Sequence, residues 1–425
     1  MRQRALLEAF TRVRACTEKL AASLSPEDQV LQSMPDASPT KWHRAHTTWF
    51  FETFLLEPRG IAPVNADYNY LFNSYYEAIG ARHTRAKRGL ISRPTVDEVA
   101  AYRRAVDARM VDLIGGLDEK GIAEIAPIVE LGLAHEEQHQ ELVLTDILHA
   151  FAENPTHPTY RAPLPKRDAK AKNEALTFVK IAGGIHDIGV DASDAFTFDN
   201  EGPRHREVIE PFELADRLVT VGEMKAFIRD GGYTTPSLWL SDGRAMIEAQ
   251  KIEAPLYAEM KDGEYVTFGL HGLRVAHDDE PVVHLSFYEA DALAHFLGGR
   301  LPTESEWEVA TAHASTREGA WADSPTLIPN AAAFADGESS GKLRQIYGDA
   351  WEWTRSAYSP YPGYAPTAGA IGEYNGKFMA NQFVLRGGSF LTPRGHIRIT
   401  YLNFWHPHTR FQATGVRVAR DLRQH

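Results

Sequence analysis

The sequence predicts two domains of different class, a four-helix bundle followed by an α+β domain, and three observations carry that reading. Residues 1–152 hold apolar positions three or four apart with few glycines or prolines, the period of amphipathic helices. Residues 153–175 change abruptly to proline, lysine and alanine. Beyond them, short alternating runs such as LTFVKIAGGIHDIGV are punctuated by glycine turns and tryptophans, and long regular helices are scarce.

Taken in chain order, the spacing predicts helices over 3–24, 40–56, 95–116 and 123–151, enough for an antiparallel bundle. The connection between the second and third, NADYNYLFNSYYEAIGARHTRAKRGLISRP, is long for a bundle loop. Its aromatic content argues against disorder and so for a functional segment. ENPTHPTYRAPLPKRDAKAKNEA, residues 153–175, reads as a linker, which leaves 176–425 as the second domain.

A chain of 425 residues with 43% hydrophobic and 24% charged residues can build two or three cores and carries no signature of disorder. The net charge of -12 and dispersed basic residues argue against nucleic-acid or anionic-membrane partners. No window approaches a transmembrane span, and arginines interrupt the apolar spacing of the first helix, which lacks the core of a signal peptide. The one cysteine, Cys16, excludes an intrachain disulfide and is expected to pack; a reducing cytoplasm is the simplest compartment.

Chemistry concentrates in three histidines: His46 in KWHRAHTTWFFETF, and His135 and His139 in LAHEEQHQELVLTDI. His135 and His139 lie one helical turn apart, so both rings project from one face. A third histidine from another helix would complete a set of neutral nitrogen donors for a first-row divalent metal, with positions left open for substrate. His43, one turn before His46, competes for the third place and is alternatively an outer hydrogen-bond donor or a surface residue. Glu141 is rotated about 200° from His139 and is expected to face another helix or solvent. Glu136 and Glu137 are expected on the polar face of the helix, and Gln138 stays near the metal face.

The carboxy-terminal half resembles the formylglycine-generating-enzyme (sulfatase-modifying factor) fold, a C-type-lectin-like domain. The resemblance rests on PVVHLSFYEADALAHFLGGRLPTESEWEVA (281–310), YGDAWEWT (347–354), VLRGGSF (384–390) and TGVRVAR (414–420). The founding enzyme of that fold holds copper with paired cysteines, which this half lacks, so that activity is not expected. The amino-terminal half resembles a DinB-like bundle. The joined architecture is similar to the ergothioneine-pathway sulfoxide synthases, the EgtB family, over essentially the whole chain.

That resemblance implies a mononuclear iron(II) held by His46, His135 and His139, with Gln138 holding hercynine, the trimethylated betaine of histidine. It assigns Asn403, Phe404 and Trp405 to the same substrate, an amide for its carboxylate and aromatic faces for its quaternary ammonium. Trp405 stands where the γ-glutamylcysteine-using branch has an aspartate, which favours a smaller donor such as cysteine. Arg82 and Arg85 match the family's arginine pair for the donor carboxylate, a fit for a guanidinium fork. Lys87 and Arg88 sit beside them, and plain solvated charge is the alternative reading of all four. For the catalytic acid, Tyr75 and Tyr76 match the cysteine-accepting branch, while Tyr358 and Tyr361 match another. Arg300, Glu304, Trp307, Trp351, Trp353 and Gly387–Gly388 are read as structural.

The expected function is oxidative C–S bond formation between hercynine and cysteine, dependent on iron(II) and O2, giving a sulfoxide. A selenoneine synthase taking a selenosugar is the near alternative. A zinc-dependent DinB-like thiol transferase or a non-catalytic ligand-binding protein are the alternatives of another class. A homo-oligomer is compatible with the sequence.

Overall fold

The computed structural model describes residues 2–422 apart from 166–173, 192–194, 317, 333–341, 367–368, 370–371 and 373–374. It divides into two compact units, the first running to Arg161 together with the described residues of 193–198 and 366–374. The second holds the rest. Residues 166–173 of the expected linker lie outside the described residues.

The first unit is helical: α1 (Arg2–Ala21), α2 (Thr40–Phe51), α3 (Asp67–Phe72), α4 (Val96–Gly116) and α5 (Glu119–Glu153). α5 begins four residues before the expected start because Asp118 caps it, its carboxylate accepting the Gly121 N–H at 2.8 Å. α4 opens on a capping box between Thr95 and Glu98. The helix expected to run to 56 leaves α geometry at Glu52 and continues as one π turn, Glu52–Leu56. There the buried Glu52 carboxylate accepts from Val64 N–H and the Tyr102 hydroxyl, each at 2.7 Å. Part of the long connection is helix α3, whose Leu71 carbonyl and Asn69 amide oxygen accept the indole N–H groups of Trp42 and Trp49.

α2 is the centre of this unit: all 12 of its residues are buried. A helix buried all round must satisfy each of its polar side chains internally. Lys41 donates to the Ile91 and Pro94 carbonyls, and Arg44 to Glu18 and Gln29. Phe10, Phe50, Phe51, Val106, Met110 and Val129 form the apolar core around it.

The second unit contains α6 (Val221–Arg229), α7 (Ser241–Gln250), α8 (Phe287–Phe296) and α9 (Glu304–Thr311). Its strands are β1 (Phe178–Ile181), β2 (Gly184–Ile188), β3 (His205–Ile209), β4 (Phe212–Ala215), β5 (Ala258–Lys261), β6 (Glu264–Gly269), β7 (Gly272–Val275), β8 (Trp351–Ala357), β9 (Phe383–Arg386), β10 (Asn403–Trp405), β11 (Thr414–Gly415) and β12 (Ala419–Asp421). They form small sheets ordered β1-β4-β12, β10-β9-β8-β11, β2-β3 and β5-β6-β7. The charges of RLPTESEWE are spent on structure. Arg300 pairs with Glu306 at 2.7 Å, Thr303 and Glu306 close a capping box on α9, and the Trp307 indole donates to Glu352 at 2.9 Å. Glu352 is held in turn by the fully buried Arg417. No helix among the described residues is long and apolar enough to cross a membrane.

Candidate metal centre

α2 carries His46 and α5 carries His135 and His139, and the two helices meet because α5 has a glycine at the contact. A Cβ on Gly132 would stand 2.7 Å from Phe51 and 2.8 Å from Phe50. The missing side chain lets the α2 phenylalanines close onto α5 one turn before His135. One nitrogen from each of the three histidines then lies within 4.8 Å of the others, the only such cluster among the described residues. Glu141 is buried on α5 but outside the cluster, as its rotation about the helix requires.

The protonation pattern favours a cation. The Phe72 carbonyl accepts the His46 Nδ1–H at 2.6 Å, which leaves the lone pair at Nε2. His135 Nε2 and His139 Nε2 are 3.1 Å apart, a separation suited to two nitrogens sharing one ion at roughly 2.1 Å each. Burial pushes all three rings towards the neutral form. His135 is lowered to about 4, and His46 and His139 fall well below 6.5, with neighbouring histidines adding to the effect. Three dry, neutral imidazoles with convergent lone pairs fit a divalent first-row metal. The His46 ring lies nearly parallel to Trp42 at 4.5 Å and to Trp49 at 5.6 Å, which fixes its plane.

His43 is not a member of the cluster. It is buried, with Nδ1 2.7 Å from His139 Nδ1 and Nε2 3.0 Å from Asp146 Oδ2. Of the three readings left open for it, burial excludes a surface residue, and its place outside the cluster, between Asp146 and His139, is that of an outer hydrogen-bond partner.

Glu136 corrects the sequence reading. It is fully buried, not on a polar face, and accepts from Arg14 at 2.8 Å, from Thr17 at 2.5 Å and from Arg103. Burial alone would raise its carboxyl, but Arg103 and Arg14 outweigh that and hold it at about 2. Arg14 also donates to Asp107 on α4 and Thr48 on α2, so one ionic knot ties four helices beside the metal face. Glu137 is half-buried, 3.9 Å from Arg12, and Gln138 is half-buried one turn from His135.

The connection packs Tyr76 and Arg88 on the aromatic rings that flank the cluster, and pairs Tyr75 with Arg85. Tyr76 is buried against Trp49 and Phe50, whose rings in turn pack on His46 and His135. Tyr75 is half-buried, and its hydroxyl accepts from Arg85 at 2.8 Å. Arg82 is exposed and donates to the Ser74 carbonyl and to Glu77.

Arg88, which sequence alone left undecided, is the more telling cation. It is 4% exposed, its guanidinium sits 3.4 Å from the centre of the Trp42 ring, and it donates only to the hydroxyls of Ser38 and Ser74. No carboxylate pairs with it among the described residues, its Nε has no partner, and burial lowers it to about 9. A buried cation without a counter-ion is costly and marks a place for an anion.

In the second unit, Tyr358 is buried with its ring 4.0 Å from Phe404 and nearly parallel to it, its hydroxyl accepting from Asn200 at 2.9 Å. Burial raises its pKa far above the usual tyrosine value. Tyr361 packs in the same cluster and contacts Arg386 at 3.3 Å. Asn403, Phe404 and Trp405 are half-buried on β10; the Asn403 amide oxygen accepts from Phe404 N–H, and Trp405 packs edge-on to Phe411.

Residues 9–143 match the DinB superfamily and residues 162–422 the sulfatase-modifying factor enzyme 1-like domain. The chain is 31% identical over 420 residues to a hercynine oxygenase of Mycolicibacterium smegmatis, covering 92% of this chain and 93% of that one. The chain belongs to the hercynine oxygenase family. A second member, from Mycobacterium tuberculosis, is 32% identical over 97% of this chain and 98% of its own. The formylglycine-generating enzyme of Streptomyces coelicolor is 27% identical over 50% of this chain and 78% of its own. Membership makes this chain an oxygenase of the EgtB type, with its two domains in the family order.

Two features beside the histidine cluster escaped the sequence. Asp146 had a faint signal, lying seven residues after His139 and so on the same stripe of α5. Arg88 had none that separates it from Lys87, since its distinction is burial without a counter-ion.

Proposed function

We propose that the protein joins cysteine to carbon 2 of the hercynine imidazole and oxidises the sulfur to a sulfoxide, using O2 and an iron(II) held by His46, His135 and His139. The observation that carries this reading is the convergence of three neutral imidazole nitrogens beside an uncompensated buried arginine, in a chain that matches hercynine oxygenases over nearly its whole length. A bound iron(II) would supply the electron-transfer chemistry that oxygen requires.

The chain's own residues would do the placing. Gln138, Asn403, Phe404 and Trp405 are assigned to hercynine, through amide hydrogen bonds and cation–π attraction. Arg85 and Arg88 would take the donor carboxylate, Arg88 from within the protein and Arg85 from the half-buried rim, with Arg82 further out. A selenosugar has no carboxylate to offer Arg88, which favours the amino-acid donor. Tyr75 and Tyr76 are favoured over Tyr358 as the proton source: Tyr76 packs on the aromatic shell of the histidines, and the Tyr75 hydroxyl is held by Arg85.

Anaerobic reconstitution with iron(II), followed by oxygen, hercynine and either cysteine or a selenosugar, tests the reading. Mass spectrometry should detect the cysteine sulfoxide adduct. Its absence, with the selenium adduct present, would replace the donor; absence of both, with tightly held zinc, would replace the function.

A further inference from the structure

His43 and Asp146 form a line of hydrogen bonds that ends on His139. Asp146 Oδ2 accepts from His43 Nε2 at 3.0 Å and from the Ser38 backbone N–H at 2.8 Å. His43 Nδ1 lies 2.7 Å from His139 Nδ1, and His139 Nε2 faces His135. Every side chain in the line is at least nine-tenths buried. Ser38 connects it further, since its hydroxyl accepts from Arg88 at 3.0 Å.

The carboxylate sets the direction of every proton in this line. A carboxylate only accepts, so His43 must donate through Nε2. With His43 neutral, its lone pair is left at Nδ1, and the short contact to His139 requires His139 to carry its proton on Nδ1. The remaining His139 lone pair is then at Nε2, on the metal face. Each N–H polarised towards Asp146 also shifts electron density onto that lone pair, which strengthens it as a ligand and favours the more oxidised metal.

We infer that His43 and Asp146 are positioning residues that lock His139 in its metal-binding tautomer and lend it part of the carboxylate's charge. This rests on the reading of His46, His135 and His139 as metal ligands. It also gives the first histidine of WHRAH, His43, a purpose distinct from that of His46. Because Ser38 joins Asp146 to Arg88, the line runs from the proposed anion pocket to the metal ligand within one unit.

The test uses the full chain and four variants: Asp146→Leu, His43→Leu, Asp146→Asn and His139→Ala. Cobalt(II) binding is measured by competition with a chromophoric chelator and by its visible absorption bands. The iron midpoint potential is read by mediated titration. Asp146→Leu and His43→Leu should weaken cobalt(II) binding roughly 10–100-fold, the usual effect of removing an outer partner. Asp146→Asn can keep both N–H bonds on its amide oxygen, so it should lose less affinity while still raising the potential. A merely structural role would lower the melting temperature of the metal-free protein and leave the potential unmoved.

Wild-type affinity and potential in both leucine variants, with binding lost in His139→Ala, would overturn the relay alone. Wild-type binding in His139→Ala would overturn the ligand assignment and the relay with it. Should the leucine variants fail to fold, an unchanged potential in Asp146→Asn decides against the relay.

Discussion

Glu136 and Arg14 pair at 2.8 Å in the interior of the helical unit, immediately after His135 of the histidine cluster turns the other way on the same helix. Neighbours in sequence are about 100° apart on a helix, so α5 can present a metal ligand on one side and an anchor on the next. The anchor holds the register of α5 against α1, α2 and α4.

Removing one partner breaks a buried network and leaves the other charge with less compensation, Glu136 with Arg103 or Arg14 with Asp107. Arg14→Met should therefore cost about 3–5 kcal/mol of stability, measured by urea unfolding, and Glu136→Met a similar amount. The double variant should cost less than the sum of the two, because both side chains belong to one network.

The arginines differ in what they leave unpaired. Arg88→Ala should raise the KM for the donor roughly 10–100-fold, the loss of a charged hydrogen bond worth about 1.5–3 kcal/mol. Arg82→Ala should change it little, since that side chain is exposed and donates to Ser74 and Glu77. Steady-state kinetics with varied cysteine at saturating hercynine measures both.

The tyrosines separate by product. Tyr75→Phe or Tyr76→Phe should divert oxygen consumption from sulfoxide to simple thiol oxidation, followed by product analysis against oxygen uptake. Tyr358→Phe should instead lower the melting temperature, through the lost bond to Asn200, worth about 1 kcal/mol, and keep the product ratio.

Glu304 gives the second unit a pH dependence. Burial raises its carboxyl from 4.5 to about 7, against the pull of Arg386 at 3.7 Å. The folded state thus keeps a proton that the unfolded chain releases, and stability is fully present below about 4.5 and lost as pH rises through about 7. Glu304→Gln cannot lose that proton. Its melting temperature should match wild type at about pH 5 and exceed it at about pH 8.

Metal removal should be visible in stability as well as activity. At a metal concentration one hundred times Kd, binding adds about 2.7 kcal/mol, so a chelator should lower the melting temperature by several degrees. His139→Ala should melt at the same temperature with and without the chelator.

The sequence by itself determined the two-domain class, the order of the four long helices and the pairing of His135 with His139 on one face of α5, because a four-residue spacing has one geometric meaning on a helix. The capping boxes and the structural use of Arg300, Glu304 and Trp307 were legible for the same reason, being local. Tertiary structure decided what depends on neighbours from other elements. It buried Glu136 against two arginines from α1 and α4, brought His43 between Asp146 and His139, and singled out Arg88 among four adjacent cations by burying it without a carboxylate. Whether a charge is solvated, paired or left waiting for an anion is set by what the fold packs around it, and no spacing along the chain encodes that.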